Sequence, residues 1–200
     1  MRAVERALLA RHGESELSVL GLTNGDPTRA CALTERGREQ ARRLGEQLAG
    51  TQIDLCAVSE FQRAQETADL ALAVREVPRL VLPELNDVRF GEFEGRPLAE
   101  YRAWARAHGP EDEVTGGESR AATVRRYLAG YRKLLGRPET TILVVAHSLP
   151  LRYVLDAAAR QRPAPAVAQV PYAEAFELGA DELTRAVELL ESWARAPRWL

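Results

Sequence analysis

Ala7-Leu8-Leu9-Ala10-Arg11-His12-Gly13-Glu14 is the stretch on which the reading of the fold turns. Four apolar residues stop abruptly at an arginine and a histidine. A short apolar run with a polar end reads as a buried strand that delivers a side chain at its carboxyl edge. The pattern returns far downstream, where Thr141-Ile142-Leu143-Val144-Val145-Ala146 runs into His147-Ser148. A third run, Ile53-Asp54-Leu55-Cys56-Ala57-Val58, ends at Ser59. Open α/β sheets bind ligands outside the carboxyl ends of their strands. His12, Ser59 and His147 are therefore expected along one edge although they are far apart in sequence.

Between these runs the chain alternates. Residues 13–32, rich in Gly, Ser, Thr, Asn and Pro, read as a loop. Thr34 is placed to cap a helix whose Gly37, Ala41, Leu44 and Leu48 share one face. A helix is expected from about Gln62, with Ala64, Ala68 and Ala71 inward, and a short third strand at Leu80-Val81-Leu82. An acidic, glycine-containing loop covers 83–96, then a helix from Pro97 to Ala107 and a break at Thr115-Gly116-Gly117. Ser119 caps a long helix with Val124, Tyr127, Leu128, Tyr131 and Leu135 on its core face. A helix over 149–159, a Pro-rich interruption at 163–171, a strand over 172–178 and a helix over 181–194 complete the pattern. Strands alternating with helices imply a three-layer α/β/α architecture with a mostly parallel central sheet, read as one domain over 1–200.

Bulk composition narrows the function classes. The 200 residues are 46% hydrophobic and 28% charged, with a net charge of −2, so nothing draws the chain toward nucleic acid or an anionic membrane. No apolar stretch approaches the ~18 residues of a membrane span, and the N-terminus lacks a signal-peptide core. Cys31 and Cys56 have neither metal-ligand spacing nor the look of a disulfide framework, so a cytoplasmic protein without metal or cofactor is expected. Of 27 basic residues only Lys133 is lysine. An arginine near a site therefore counts only where its position is demanded.

Two imidazoles at one sheet edge, the first beside an arginine, suggest a phosphate site. A neutral imidazole is a competent nucleophile toward phosphorus, and an ordinary pKa of about 6.5 leaves it unprotonated near neutrality. Arg11 can fork two donors onto phosphate oxygens. Gly13 allows backbone to approach a ligand and its N–H to add an anion contact. Arg63, in the first turn of a helix where the macrodipole prefers an anion, makes sense if it faces one; a solvated helix start is the plainer alternative. His147 can hold phosphoryl oxygens, or be a satisfied structural histidine. His108 sits at a helix terminus, where the dipole explains it. A leaving alkoxide needs a proton; Asp87 and Glu84 are the candidate acids, with Glu92 and Glu94 behind them.

Five segments in order carry a likeness: Arg11-His12-Gly13-Glu14, Arg63 to Ala68, Phe90-Gly91-Glu92-Phe93-Glu94-Gly95, Gly116-Gly117-Glu118-Ser119 and Val144-Val145-Ala146-His147. Together with the helix at Leu33 to Ala41, they make the chain resemble the histidine phosphatase superfamily, the phosphoglycerate mutase-like proteins, from about residue 7 to 155. The resemblance implies that His12 is phosphorylated, that Arg11, Arg63 and His147 complete the phosphate pocket, and that Asp87 is the proton donor, with Glu84 in reserve. Relatives mostly carry glutamate where this chain has Asp87, often asparagine where it has Ser18, and frequently glycine where it has Ser148. Ser18 is assigned to phosphate contact by one hydrogen bond, and Ser148 and Gly13 to the same pocket.

The leading expectation is a metal-independent phosphomonoester hydrolase that acts through phosphohistidine on a small phosphorylated metabolite. The alternatives are a phosphoglycerate mutase and a non-catalytic phosphate-binding module. Only about twenty residues separate Gly95 from Gly116-Gly117, less than the enclosing segment of family mutases, which favours hydrolysis. The last 40 residues resemble the family least; a homodimer contact is one role open to them.

Overall fold

In the computed structural model, which describes residues 4–199, a five-stranded sheet is flanked by helices on both faces. The strands are β1 (Arg6–Arg11), β2 (Leu55–Val58), β3 (Arg79–Val81), β4 (Thr141–Ala146) and β5 (Ala175–Gly179), in the order β3-β2-β4-β1-β5. The first four are parallel, and β5 pairs antiparallel with β1 along one edge. The helices are α1 (Glu16–Val19), α2 (Glu35–Gln47), α3 (Gln62–Ala71), α4 (Leu98–Ala107), α5 (Arg120–Leu135), α6 (Ser148–Ala158) and α7 (Ala180–Arg195).

The period-two alternation of the central strands divides the core. Ala7 and Leu9 of β1 and Ile142, Val144 and Ala146 of β4 face α5, α6 and α7 through Val124, Tyr127, Val154 and Leu190. Their neighbours Leu8, Ala10, Leu143 and Val145 face α2 and α3 through Leu44, Ala64 and Ala68. Both faces of β1 and β4 are covered, which is why these strands read as unbroken apolar runs. Val88, Phe90, Phe93, Tyr101 and Val114 form a third, smaller cluster.

Thr34 and Ser119 cap α2 and α5 as expected, accepting from the Gly37 and Ala122 N–H groups at 3.0 Å. Three local readings need correction. The segment 13–32 contains the one-turn helix α1. The strand read from Ile53 begins at Leu55. The strand read over 172–178 begins at Ala175, because Tyr172 makes only an isolated bridge to Arg11. The final residues belong to the core: β5 extends the sheet, and α7 buries Leu183, Ala186, Leu190 and Trp193.

Candidate active site

Arg11 and Ala146 are register partners at the ends of β1 and β4, so His12 and His147 leave the sheet side by side. The His12 N–H donates to the Ala146 carbonyl at 3.0 Å, and the two rings are 5.2 Å apart. On the next strand Val58 pairs with Val145. That places Ser59 beneath His147, with its hydroxyl 2.8 Å from Nε2. The three strand ends come together as the apolar runs implied.

His12 is 3% exposed. Its Nδ1 lies 2.7 Å from the Gly13 carbonyl, which can only accept, so Nδ1 carries the proton and Nε2 keeps its lone pair. Arg63 Nε donates to that lone pair at 3.2 Å. Burial, reinforced by Arg63 and Arg11, holds the His12 pKa well below the ordinary histidine value. The ring is therefore neutral and aimed.

Arg63 ties the site together. It lies in the first turn of α3 with its guanidinium 4.2 Å over the Phe61 ring. One terminal nitrogen donates to the Asn24 side-chain oxygen. The other donates to the Asn24 carbonyl at 3.1 Å and His147 Nδ1 at 3.2 Å, and reaches Asp87 at 3.5 Å. With Nδ1 accepting, neutral His147 carries its proton on Nε2, toward Ser59. Burial, then Arg63, His12 and Arg11, push the His147 pKa well down. Arg11 donates to the Val170 carbonyl at 2.9 Å and stacks 3.8 Å from the Tyr172 ring centroid, while its buried Nε has no partner.

Asp87 faces the same cleft. Its Oδ1 accepts from the Val88 N–H at 3.0 Å, and its Oδ2 is 3.7 Å from His147 Nδ1. Burial pushes the carboxyl above its ordinary pKa, outweighing the pull of Arg63 and Arg11. The loop bearing it is pinned by Arg126, which donates to the carbonyls of Glu84, Asn86 and Asp87 at 2.8–3.0 Å and pairs with buried Glu118.

Glu84 is not brought to the cleft. Although burial opposes it, a hydrogen bond from Lys133 holds its carboxyl below the usual range. Gly13 adjoins His12, but its N–H donates to Thr67 Oγ1 at 3.0 Å and not toward the cleft. Its missing Cβ serves packing instead: a Cβ there would lie 2.4 Å from the Gly37 carbonyl oxygen. Ser18 borders the cleft, with its hydroxyl donating to the Ser15 carbonyl at 2.7 Å and accepting from the Ser15 N–H at 2.8 Å. Its hydrogen is therefore already engaged. Ser148 accepts from the Val170 N–H at 2.9 Å, and so holds the residue whose carbonyl holds Arg11. His108 ends α4, donating from Nδ1 to the Trp104 carbonyl at 2.7 Å.

Sequence reading missed Asn24, Tyr172, Glu118 and Arg126 as parts of this site. Glu118, just before the α5 N-cap Ser119, was read only within Gly116-Gly117-Glu118-Ser119, and its pairing with Arg126 in the second turn of α5 follows no helical period. Asn24 and Tyr172 left no trace, lying in irregular segments where periodicity says nothing.

Two arginines and two neutral imidazoles around an open cleft, with a raised carboxyl across from them, define a histidine-based phosphoryl-transfer enzyme. The family model of the histidine phosphatase superfamily (branch 1) matches residues 7–191, and the chain belongs to that superfamily. The adenosylcobalamin/alpha-ribazole phosphatase of Escherichia coli (strain K12) is 36% identical over 153 residues, covering 71% of this chain and 73% of that one. A 2,3-bisphosphoglycerate-dependent phosphoglycerate mutase of Methylobacterium sp. (strain 4-46) is 35% identical over 169 residues, covering 74% and 78%. The crystal structure of the alpha-ribazole phosphatase from Shigella flexneri matches with a TM-score of 0.71 at 30% identity, over 86% of this chain and 89% of that one. The activity class is that of a phosphomonoester hydrolase acting on a small phosphorylated substrate.

Proposed function

We propose that His12 is the nucleophile and Asp87 the proton donor in a two-step hydrolysis. His12 Nε2 attacks phosphorus as the ester P–O bond breaks, and Asp87 gives its proton to the departing alkoxide. A water then attacks the phosphohistidine, the P–N bond breaks, and Asp87 takes the water's proton. The sum is monoester plus water to alcohol plus inorganic phosphate. Arg11, Arg63 and His147 surround the transferring group and balance its charge. The observation that carries this reading is the His12 tautomer. The Gly13 carbonyl fixes the proton on Nδ1, leaving an unprotonated Nε2 beside Arg63.

Ser148 acts through Val170 on Arg11, Ser18 shapes the cleft wall, and Glu84 is left outside the reaction. We place the protein in the cytoplasm, a reducing compartment in keeping with buried, unpaired Cys31 and Cys56. No described helix is long and apolar enough to cross a membrane. The names of the relatives make alpha-ribazole phosphate the first candidate substrate.

The test is a screen of alpha-ribazole phosphate, 3-phosphoglycerate and 4-nitrophenyl phosphate with EDTA present. We expect phosphate release that EDTA does not reduce and that His12→Ala abolishes, with an acid-labile phosphohistidine trapped in wild type by a base quench. Turnover that survives His12→Ala overturns the reading. Interconversion of phosphoglycerates without net phosphate release would instead assign the mutase reaction.

A further inference from the structure

Ser59 ends β2 on the same edge as the two histidines, and the proposed reaction gives it no part. It is fully buried. Its N–H donates to the Val145 carbonyl at 3.3 Å, and its own carbonyl accepts from the Gln65 side chain at 2.6 Å. With the backbone held on both sides, its hydroxyl stands 2.8 Å from His147 Nε2. The other ring nitrogen, Nδ1, points toward Arg63 at 3.2 Å and Asp87 at 3.7 Å, two residues that line the cleft. Phe61 packs edge-on against the imidazole, with ring centroids 4.6 Å apart. The ring is thus clamped with one nitrogen toward the serine hydroxyl and one toward the ligand side.

In the free protein Arg63 donates to the Nδ1 lone pair. Burial opposes a second proton on the ring, and so do Arg63, His12, Arg11 and Arg126 around it. Asp87, pushed toward its acid form by burial, does little to counter them. A phosphoryl group changes these conditions. Its oxygens draw the Arg63 donors onto themselves and leave the Nδ1 lone pair facing an anion, where two negative charges favour an imidazolium. The charged ring then has two N–H groups to satisfy, and the one on Nε2 lies too deep for water. A carboxylate in place of Ser59 would hold the ring charged with or without a ligand. A neutral hydroxyl can accept from Nε2 in both states, so the charge on the ring answers to the cleft alone.

We propose that Ser59 is a positioning residue for phosphoryl binding. Its hydroxyl accepts from His147 Nε2 throughout, so that Nδ1 takes up one proton when a dianion enters and donates a hydrogen bond to it. This rests on the phosphomonoesterase reading and adds to it a proton coupled to binding. The proton comes from solvent, or from the P–OH of an ester that arrives as its monoanion. His147 returns it to solvent as inorganic phosphate leaves, so the sum of the hydrolysis is unchanged.

Sulfate is the probe, because it is a dianion that brings no proton of its own near neutral pH. The ring nitrogens are followed by nitrogen NMR of histidine-labelled protein, with His147→Gln assigning the signal. In wild type, His147 should carry a proton on Nε2 alone when free and on both nitrogens when saturated with sulfate. Calorimetry in buffers of different ionisation enthalpy should show about one proton taken up per sulfate bound, with affinity rising as pH falls. Ser59→Ala should bind sulfate roughly tenfold more weakly, the scale of one hydrogen bond to a charged group, and should lose most of the proton uptake. A thermal melt shows that this variant is folded. A merely structural loss would weaken binding and leave the proton count alone. A neutral His147 in sulfate-bound wild type, or full uptake retained in Ser59→Ala, overturns the proposal. His12-dependent phosphate release from the same preparations shows that the underlying activity stands regardless, whereas a protein that neither binds sulfate nor releases phosphate fails on both.

Discussion

At the scale of single residues, Asp87 and His12 have been displaced in opposite directions by the same cause. Burial keeps His12 unprotonated and pushes Asp87 toward its acid form, outweighing the nearby arginines at Asp87. In the proposed reaction, attack needs neutral His12, and protonation of the leaving oxygen needs the acid form of Asp87. For an alkyl phosphate, kcat/KM should therefore rise as His12 loses its proton and fall as Asp87 ionises, with a maximum on the acid side of neutrality. Asp87→Asn should lose the alkaline limb and about 10²–10³ in rate on alkyl phosphates. The loss should be smaller on 4-nitrophenyl phosphate, whose leaving anion needs no proton. An unchanged alkaline limb would remove Asp87 from the role. The place of His12 at the cleft was legible because an apolar run ends on it. Of the two candidate acids, only the structure shows which faces the cleft: Asp87 does, while Lys133 holds Glu84 elsewhere.

At the scale of elements, the loop after β1 and helix α2 meet backbone to backbone. A Cβ on Gly37 would lie 1.9 Å from the Glu14 carbonyl oxygen, and neither partner can move without shifting the turn that carries His12. Gly37→Ala should cost about 3 kcal/mol of unfolding free energy, measured by urea denaturation, and should reduce activity beyond what stability explains. Gly50→Ala, with nothing within 4 Å of the added carbon, is the control and should change little. Comparable losses in both would mean that glycine content alone matters. Strands and helices were readable here because each core face repeats with its own period, as in α5, where Val124, Tyr127, Leu128 and Tyr131 all lie inward. The helix α1 was hidden because four residues carry too little period, and it is held by the Ser15–Ser18 capping contacts. Tyr172 was misread as strand because its aromatic character suits a sheet, while in the structure it stacks on Arg11.

At the scale of the whole molecule, two neutral imidazoles inside one core make stability depend on pH. Their folded pKa values lie below the ordinary value of about 6.5, so the unfolded chain binds more protons as pH falls past that point. Stability is then full above about pH 6.5 and declines below it, toward the depressed folded values. Asp87, shifted the other way, offsets part of this only at lower pH, above its ordinary unfolded value. Melting temperature followed by calorimetry should fall between neutrality and pH 5, and His147→Gln should flatten the slope. An equal slope in that variant would place the titration elsewhere. The α/β layering was legible as a whole, whereas the antiparallel direction of β5 was not, since an edge strand carries no signal of direction. That edge has a consequence during synthesis. The residues that steady Arg11, Val170 and Tyr172, lie about 160 positions after it, just before the strand that closes beside β1. On the proposed mechanism, a ribosome-bound chain thus displays the His12 ring early but gains the residues that steady the arginine beside it only about 160 positions later.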